Sequence, residues 1–136
     1  MSATSPAATA VARPADLIIA IALALLLGLQ PVSTDLYLPA LPGIKTELGA
    51  SMVATQQTMA ALLLSFGVGQ LVWGPGADRF GRRPVLLVSL SAYLLSSLAA
   101  ATAADIQALI LTRIVQGAAT SGAVVVARAM VRDLYQ

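Results

Sequence analysis

Two ionisable residues sit where the chain is otherwise apolar, and they are the ones whose chemistry matters most. Arg113, flanked by Leu111 and Ile114, is the one charged residue of the run 106–127. An arginine about seven residues inside a membrane helix costs a few kcal/mol or more unless it is paired or faces water. It reads as a cavity-lining cation that binds a polar partner or takes part in proton coupling, with snorkelling of its long side chain to the outer interface as the alternative. Gln116 follows three residues later on the same helix face, and Gly117 and Ser121 add a small-xxx-small spacing suited to close helix approach.

Asp35 is the second candidate. By helix rise it lies about 27 Å from Leu17, near the outer end of its span. A carboxylate at a helix C-terminus opposes the macrodipole, so a capping role explains it poorly. A carboxylate that exchanges protons or attracts cationic substrates stands beside the interfacial reading. Gln30 and Thr34, one turn apart, extend a polar face from it toward the bilayer centre. The chain has neither cysteine nor histidine, so thiolate nucleophiles, imidazole bases and their metal sites are excluded. An enzyme is the least favoured reading, and no cofactor or metal is expected.

The elements that must position these residues follow from composition. A chain of 136 residues that is 58% hydrophobic and 10% charged, with mean hydropathy +0.85, cannot hide that much apolar surface in a small soluble domain. It is expected to be an all-α membrane protein, a bundle of transmembrane helices lying in the lipid bilayer. The pI of about 9.5 reflects a net charge of only +2, with arginines at membrane borders rather than in a basic groove. Nucleic acid is not an expected partner.

Residues 1–14 are small and polar and read as a disordered cytoplasmic tail. The apolar run from Leu17 is longer than the core of a cleaved signal peptide usually is. Residues 15–136 form the transmembrane part, with helices expected over about 15–38, 51–74, 84–103 and 106–127. Pro39 and Pro42 stop the first helix and open an outer loop holding Lys45 and Glu47. In the second helix Ala61, Ser65 and Gly69 form a stripe of small residues along one face, a packing surface.

Between the second and third helices lies the stretch 74–84, GPGADRFGRRP. Gly74 and Gly76 around Pro75 are expected to break the helix, and Gly81 to permit a tight reversal. Asp78 is placed to accept hydrogen bonds from nearby arginines or from amides at a helix start. The arginines of this loop, Arg79, Arg82 and Arg83, fix it on the cytoplasmic side. Arg13, Arg128 and Arg132 fall on the same side and Lys45 alone on the other, so both ends of the chain are expected in the cytoplasm.

These residues resemble a known family. GPGADRFGRRP is similar to the loop signature between helices two and three of the major facilitator superfamily, G-x-x-x-D-R-x-G-R-R. STDLYLPALP resembles a signature of its proton-coupled drug antiporters with twelve helices, LTRIVQG their buried-arginine motif, and ARAMVRDLY the segment after helix four in Bcr/CflA-type efflux transporters. The matches span most of residues 33–135 in order. Gly76 departs from the pattern, which usually has a bulky aliphatic there.

The resemblance implies the first four helices of a major-facilitator N-terminal half, in the inner (plasma) membrane. It implies proton-coupled efflux of drugs or other small organic compounds, with the remaining helices of the transporter, a small-molecule substrate and protons as partners. Asp78 and Arg82 then belong to the conformational gate, with Gly74, Arg79, Gly81 and Arg83 in the same loop. Arg113 belongs to proton coupling and Asp35 to the substrate and proton path. The chain reads as an N-terminal portion of such a transporter. The alternatives are a self-contained four-helix protein acting as a dimeric small multidrug antiporter, or a non-transporting membrane subunit.

Overall fold

The computed structural model describes residues 14–134. The expected tail lies outside them but for Pro14, which opens the first helix. The order is α1 (Pro14–Tyr37), a single 3-10 turn (Leu38–Ala40), α2 (Leu41–Glu47), α3 (Met52–Phe80), α4 (Arg82–Ala101) and α5 (Ile106–Leu134). Among the described residues, four helices are long and apolar enough to cross a membrane. Helices are the only open-ended way to do so, because every backbone amide is then satisfied within its own segment.

α5 is the centre of the bundle. Some 56% of its membrane window is buried inside the protein, against 6%, 11% and 17% for the windows of α1, α3 and α4. Both α3 and α4 pack on α5 far more than on each other, and α1 packs on it more lightly. Its composition explains the position. From Gly117 to Ala127 the helix is built almost wholly of Gly, Ala, Ser, Thr and Val, so neighbouring backbones can come close.

The closeness is measurable at three glycines. A Cβ at Gly117 would overlap the Leu62 carbonyl oxygen and Ser65 Oγ of α3. One at Gly69 would strike Ser121 Oγ and come within 3.2 Å of the Ala118 Cα. One at Gly122 would strike Ser89 Oγ of α4 and approach the Trp73 ring to 3.1 Å. Ser65 and Ser121 turn their own hydroxyls back to the carbonyls of Leu62 (3.0 Å) and Ala118 (2.6 Å), so they pack as small, satisfied residues. The Trp73 indole donates to the Ala118 carbonyl at 2.8 Å and ties α3 to α5 directly. Below it, Ala77, Val85 and Val126 form a dry cluster flanked by Trp73, Leu86 and Met130.

Local chemistry sets the ends. Ser51 in extended conformation accepts from the Ala54 amide at 3.1 Å and starts α3, and Asp105 Oδ1 accepts from the Ala108 amide at 2.7 Å at the start of α5. Gly81, at φ 87° and ψ 158°, makes the whole reversal between α3 and α4, a conformation open to glycine alone.

Three expectations are corrected. α3 does not end at Gly74 but runs through Pro75 to Phe80. Proline removes one backbone donor, leaving one carbonyl unpaired, while ending a helix near the membrane would expose several more groups, so the helix absorbs the defect. The stretch after α1 is not a plain loop: Pro39 and Pro42 sit in the first turns of the 3-10 segment and of α2, where a missing donor costs nothing. Finally, α5 continues past 127 to Leu134, and Asp133 there forms an ion pair with Arg82 at the start of α4.

Candidate functional site

α5 carries Arg113 two turns from its N-terminal end, on the side where α1 and α4 reach it through Tyr37 and Ser97. One neighbour touches it directly and two support its partners. From α1 comes the buried Tyr37, whose ring lies under the guanidinium with Arg113 Cζ 3.9 Å from its centroid. A cation at this distance over an aromatic face is stabilised by about 0.5–2 kcal/mol, more as water is excluded.

The Tyr37 ring is itself held. Thr58 donates its hydroxyl proton to the Thr55 carbonyl at 2.6 Å, so at the 2.6 Å contact between Tyr37 and Thr58 it is the tyrosine that donates. Both threonines are fully buried on α3.

On its other side Arg113 Nη1 donates to Gln116 Oε1 at 2.7 Å, and Gln116 Nε2 donates to Ser97 Oγ of α4 at 2.8 Å. The orientation of the buried amide follows from the chemistry, since a guanidinium can only donate and the oxygen must face it. Every partner of the arginine is neutral. Among the described residues the only ion pair joins Arg82 to Asp133, at the opposite end of α5. Arg113 Nε is buried with no acceptor. Arg113, Gln116 and Ser97 line a cavity of about 320 Å³, with Ile44, Glu47 and Leu48 around the end of α2 also in its wall.

Asp35 does not join this cluster. It is exposed, and because it precedes the buried Tyr37 by two residues it points to roughly the opposite side of α1. Thr34 donates to the Gln30 carbonyl at 3.0 Å, and the amide of Gln30 reaches Thr34 Oγ1 at 3.4 Å, a local pair with no tie to Arg113. Ser33, which donates to the Leu29 carbonyl at 2.7 Å, accepts from Tyr93 of α4 at 3.0 Å. Tyr93 and Tyr37 thus fasten α1 to α4 and α3 respectively.

At the hairpin end the residues separate. Asp78 lies in the last turn of α3, not at a helix start, and forms no ion pair among the described residues. It lines an open depression of about 410 Å³ with Gly74, Ala77, Val125, Arg128, Ala129 and Arg132. Arg79 leans over the Phe80 ring at 5.7 Å, Arg82 holds Asp133, and Arg83 is exposed. At Gly76 a Cβ would meet only the Trp73 ring at 3.9 Å, an ordinary contact. Of the small-residue stripe, Ser65 and Gly69 meet α5 while Ala61 lines an open apolar groove between α3 and α5.

Tyr37, Thr58 and Ser97 were not singled out by the sequence reading. Tyr37 carries a partial signal, being a tyrosine one turn beyond the polar Gln30–Thr34 face, but nothing local shows that it reaches α5. Gly122 and Asp133 likewise act through neighbours that only the fold supplies.

Comparison with known proteins identifies the family. The family profile described as Major Facilitator Superfamily matches residues 23–136. The chain is 40% identical over 114 residues to the multidrug resistance protein D of Escherichia coli, covering 84% of the chain and 29% of that relative. It is 38% identical to a chloramphenicol resistance protein of Pseudomonas aeruginosa, covering 79% of the chain and 26% of the relative. With a bicyclomycin resistance protein homolog of Haemophilus influenzae the identity is 33%, over 83% of the chain and 28% of the relative. No solved structure matches significantly. The chain thus spans under a third of the length of these relatives. It is a multi-pass membrane protein and belongs to the Major Facilitator Superfamily.

Proposed function

We propose that this chain supplies the first four membrane helices of a proton-coupled efflux antiporter for drugs or other small organic compounds, seated in the inner membrane with both chain ends cytoplasmic. One observation carries the reading: a charged Arg113 inside a spanning helix, held only by neutral groups, the Tyr37 ring of α1 and the Gln116 amide of its own helix, which α3 and α4 buttress in turn through Thr58 and Ser97. A permanent cation without a fixed counter-charge responds to any anion or protonation change that comes near it, which a structural ion pair would not. The relatives named for drug resistance support the substrate class. The excess of arginine at one end of the spans supports the orientation.

In this reading Arg113 and Gln116 sense the proton or substrate, and Asp35, on the exposed side of α1 with Gln30 and Thr34, faces the path that the remaining helices of the transporter complete. Asp78 and the arginines at Gly81 form the cytoplasmic gate, where Arg128 and Arg132 stand across the depression from Asp78. Exchange requires two halves that rock around a central site.

The test is drug accumulation in an efflux-deficient bacterial host. The chain is expressed alone and joined to the remaining helices of the Escherichia coli relative. The joined protein is expected to lower accumulation and the chain alone to leave it unchanged. Export by the chain alone would establish a self-contained transporter instead. In the joined protein Asp35→Asn is expected to weaken coupling to the pH gradient.

A further inference from the structure

The cavity between α2, α4 and α5 has one cation at its floor and one carboxylate at its mouth. Arg113 brings a guanidinium to the lining, and Gln116 and Ser97 add neutral hydrogen-bonding groups beside it. Glu47, the last residue of α2, is the one acidic side chain of the lining. Lys45, on the same short helix, is exposed and does not line it. Ile44, Leu48, Leu109 and the alanines at the end of α4 make the remaining walls apolar.

We propose that this cavity is a binding site for a zwitterion, its phosphate or carboxylate on Arg113 and its ammonium group on Glu47. A simple anion would satisfy Arg113 but meet the Glu47 charge on entry; a simple cation would do the reverse. A molecule carrying both charges satisfies each, and the partly desolvated setting strengthens both contacts. At about 320 Å³ the site is at the small end of the range for ligand pockets, which suits a small solute or a lipid headgroup. It opens beside the outer ends of the helices, on the face of α5 reached through α4 and α2. Asp35 points away from it, while Arg113 and Gln116 are shared with the coupling role proposed above; binding is read without transport, so a failure of one reading is distinguishable from a failure of the other.

The experiment titrates the full chain, purified in an uncharged maltoside detergent, and measures Kd with four probes. Glycerophosphoethanolamine and dihexanoyl phosphatidylethanolamine carry both charges, with and without acyl chains; glycerophosphate and dihexanoyl phosphatidylglycerol carry the anion only. The zwitterionic probes are expected to bind more tightly than their anionic counterparts. Binding of both zwitterions assigns the site to the headgroup chemistry, open to free solutes, and binding of the acylated form alone assigns it to a lipid.

Glu47→Gln, an exposed residue whose replacement leaves the helical signal unchanged, is expected to weaken zwitterion binding about threefold to fivefold and to spare or improve anion binding. Arg113→Lys keeps the charge but loses the planar fork and is expected to weaken all four probes about tenfold. Equal affinity for zwitterion and anion, indifference to Glu47→Gln, or no binding of any probe would overturn the proposal.

Discussion

Replacing Gly117 by alanine isolates the packing that holds α5 at the centre of the bundle. The added methyl group would overlap the Leu62 carbonyl oxygen and Ser65 Oγ. Ser65 can rotate, but the carbonyl is backbone in the middle of α3, so relief requires the two helices to move apart. Overpacking of this kind costs about 1–3 kcal/mol. Alanine also favours the helix over glycine by up to about 1 kcal/mol, which masks part of the loss. Gly67→Ala provides the correction: a Cβ there meets nothing within 4 Å, so it reports the helix preference alone. The expected difference between the two variants is therefore about 1–3 kcal/mol, with Gly117→Ala the less stable. Unfolding in mixed detergent–SDS micelles measures it through the fluorescence of Trp73, the single tryptophan, whose indole is bonded across to α5. If Gly117→Ala unfolds at the same SDS fraction as Gly67→Ala, the close approach of α3 and α5 is refuted.

Other substitutions test the remaining contacts. Tyr37→Phe leaves the buried Thr58 hydroxyl without its donor and is expected to cost about 1–3 kcal/mol in the same assay, and Tyr37→Leu a further 0.5–2 kcal/mol, roughly, through loss of the ring under Arg113. Trp73→Phe is expected to cost only about 0.5–1.5 kcal/mol, because the Ala118 carbonyl keeps the Ser121 hydroxyl as a donor, and must be followed by circular dichroism. Asp133→Asn is expected to cost less than about 1 kcal/mol and to lose even that at high salt, since the side chains of the Arg82 pair are 33% and 49% exposed.

The spans were legible because charge-free runs of membrane length leave little choice of structure, and Gly81 because a reversal so short needs a positive φ. Pro75 and Pro42 misled the reading for one reason. A proline removes a donor wherever it stands, but whether this ends a helix, starts one or is absorbed depends on what else would be left unpaired. Arg113 and Gln116 could be paired from their i, i+3 spacing alone. That Tyr37 lies under the guanidinium and Ser97 beyond the amide depends on how α1 and α4 are rotated against α5, and a single sequence carries no register between helices. Gly117, Gly69 and Gly122 show the same limit: the small residues are visible in the chain, their contacts with Leu62, Ser121 and Ser89 only in the fold.

The most direct test of the account concerns Arg113 itself. Drug-driven proton movement is measured in inside-out vesicles holding the chain joined to the remaining transporter helices, with Arg113→Ala beside Leu111→Ala, whose side chain faces outward from the bundle. The account predicts that Arg113→Ala abolishes exchange while Leu111→Ala, present in the membrane at equal amount, preserves it. Exchange at the unmodified rate by the Arg113→Ala protein would contradict the central role given to this arginine.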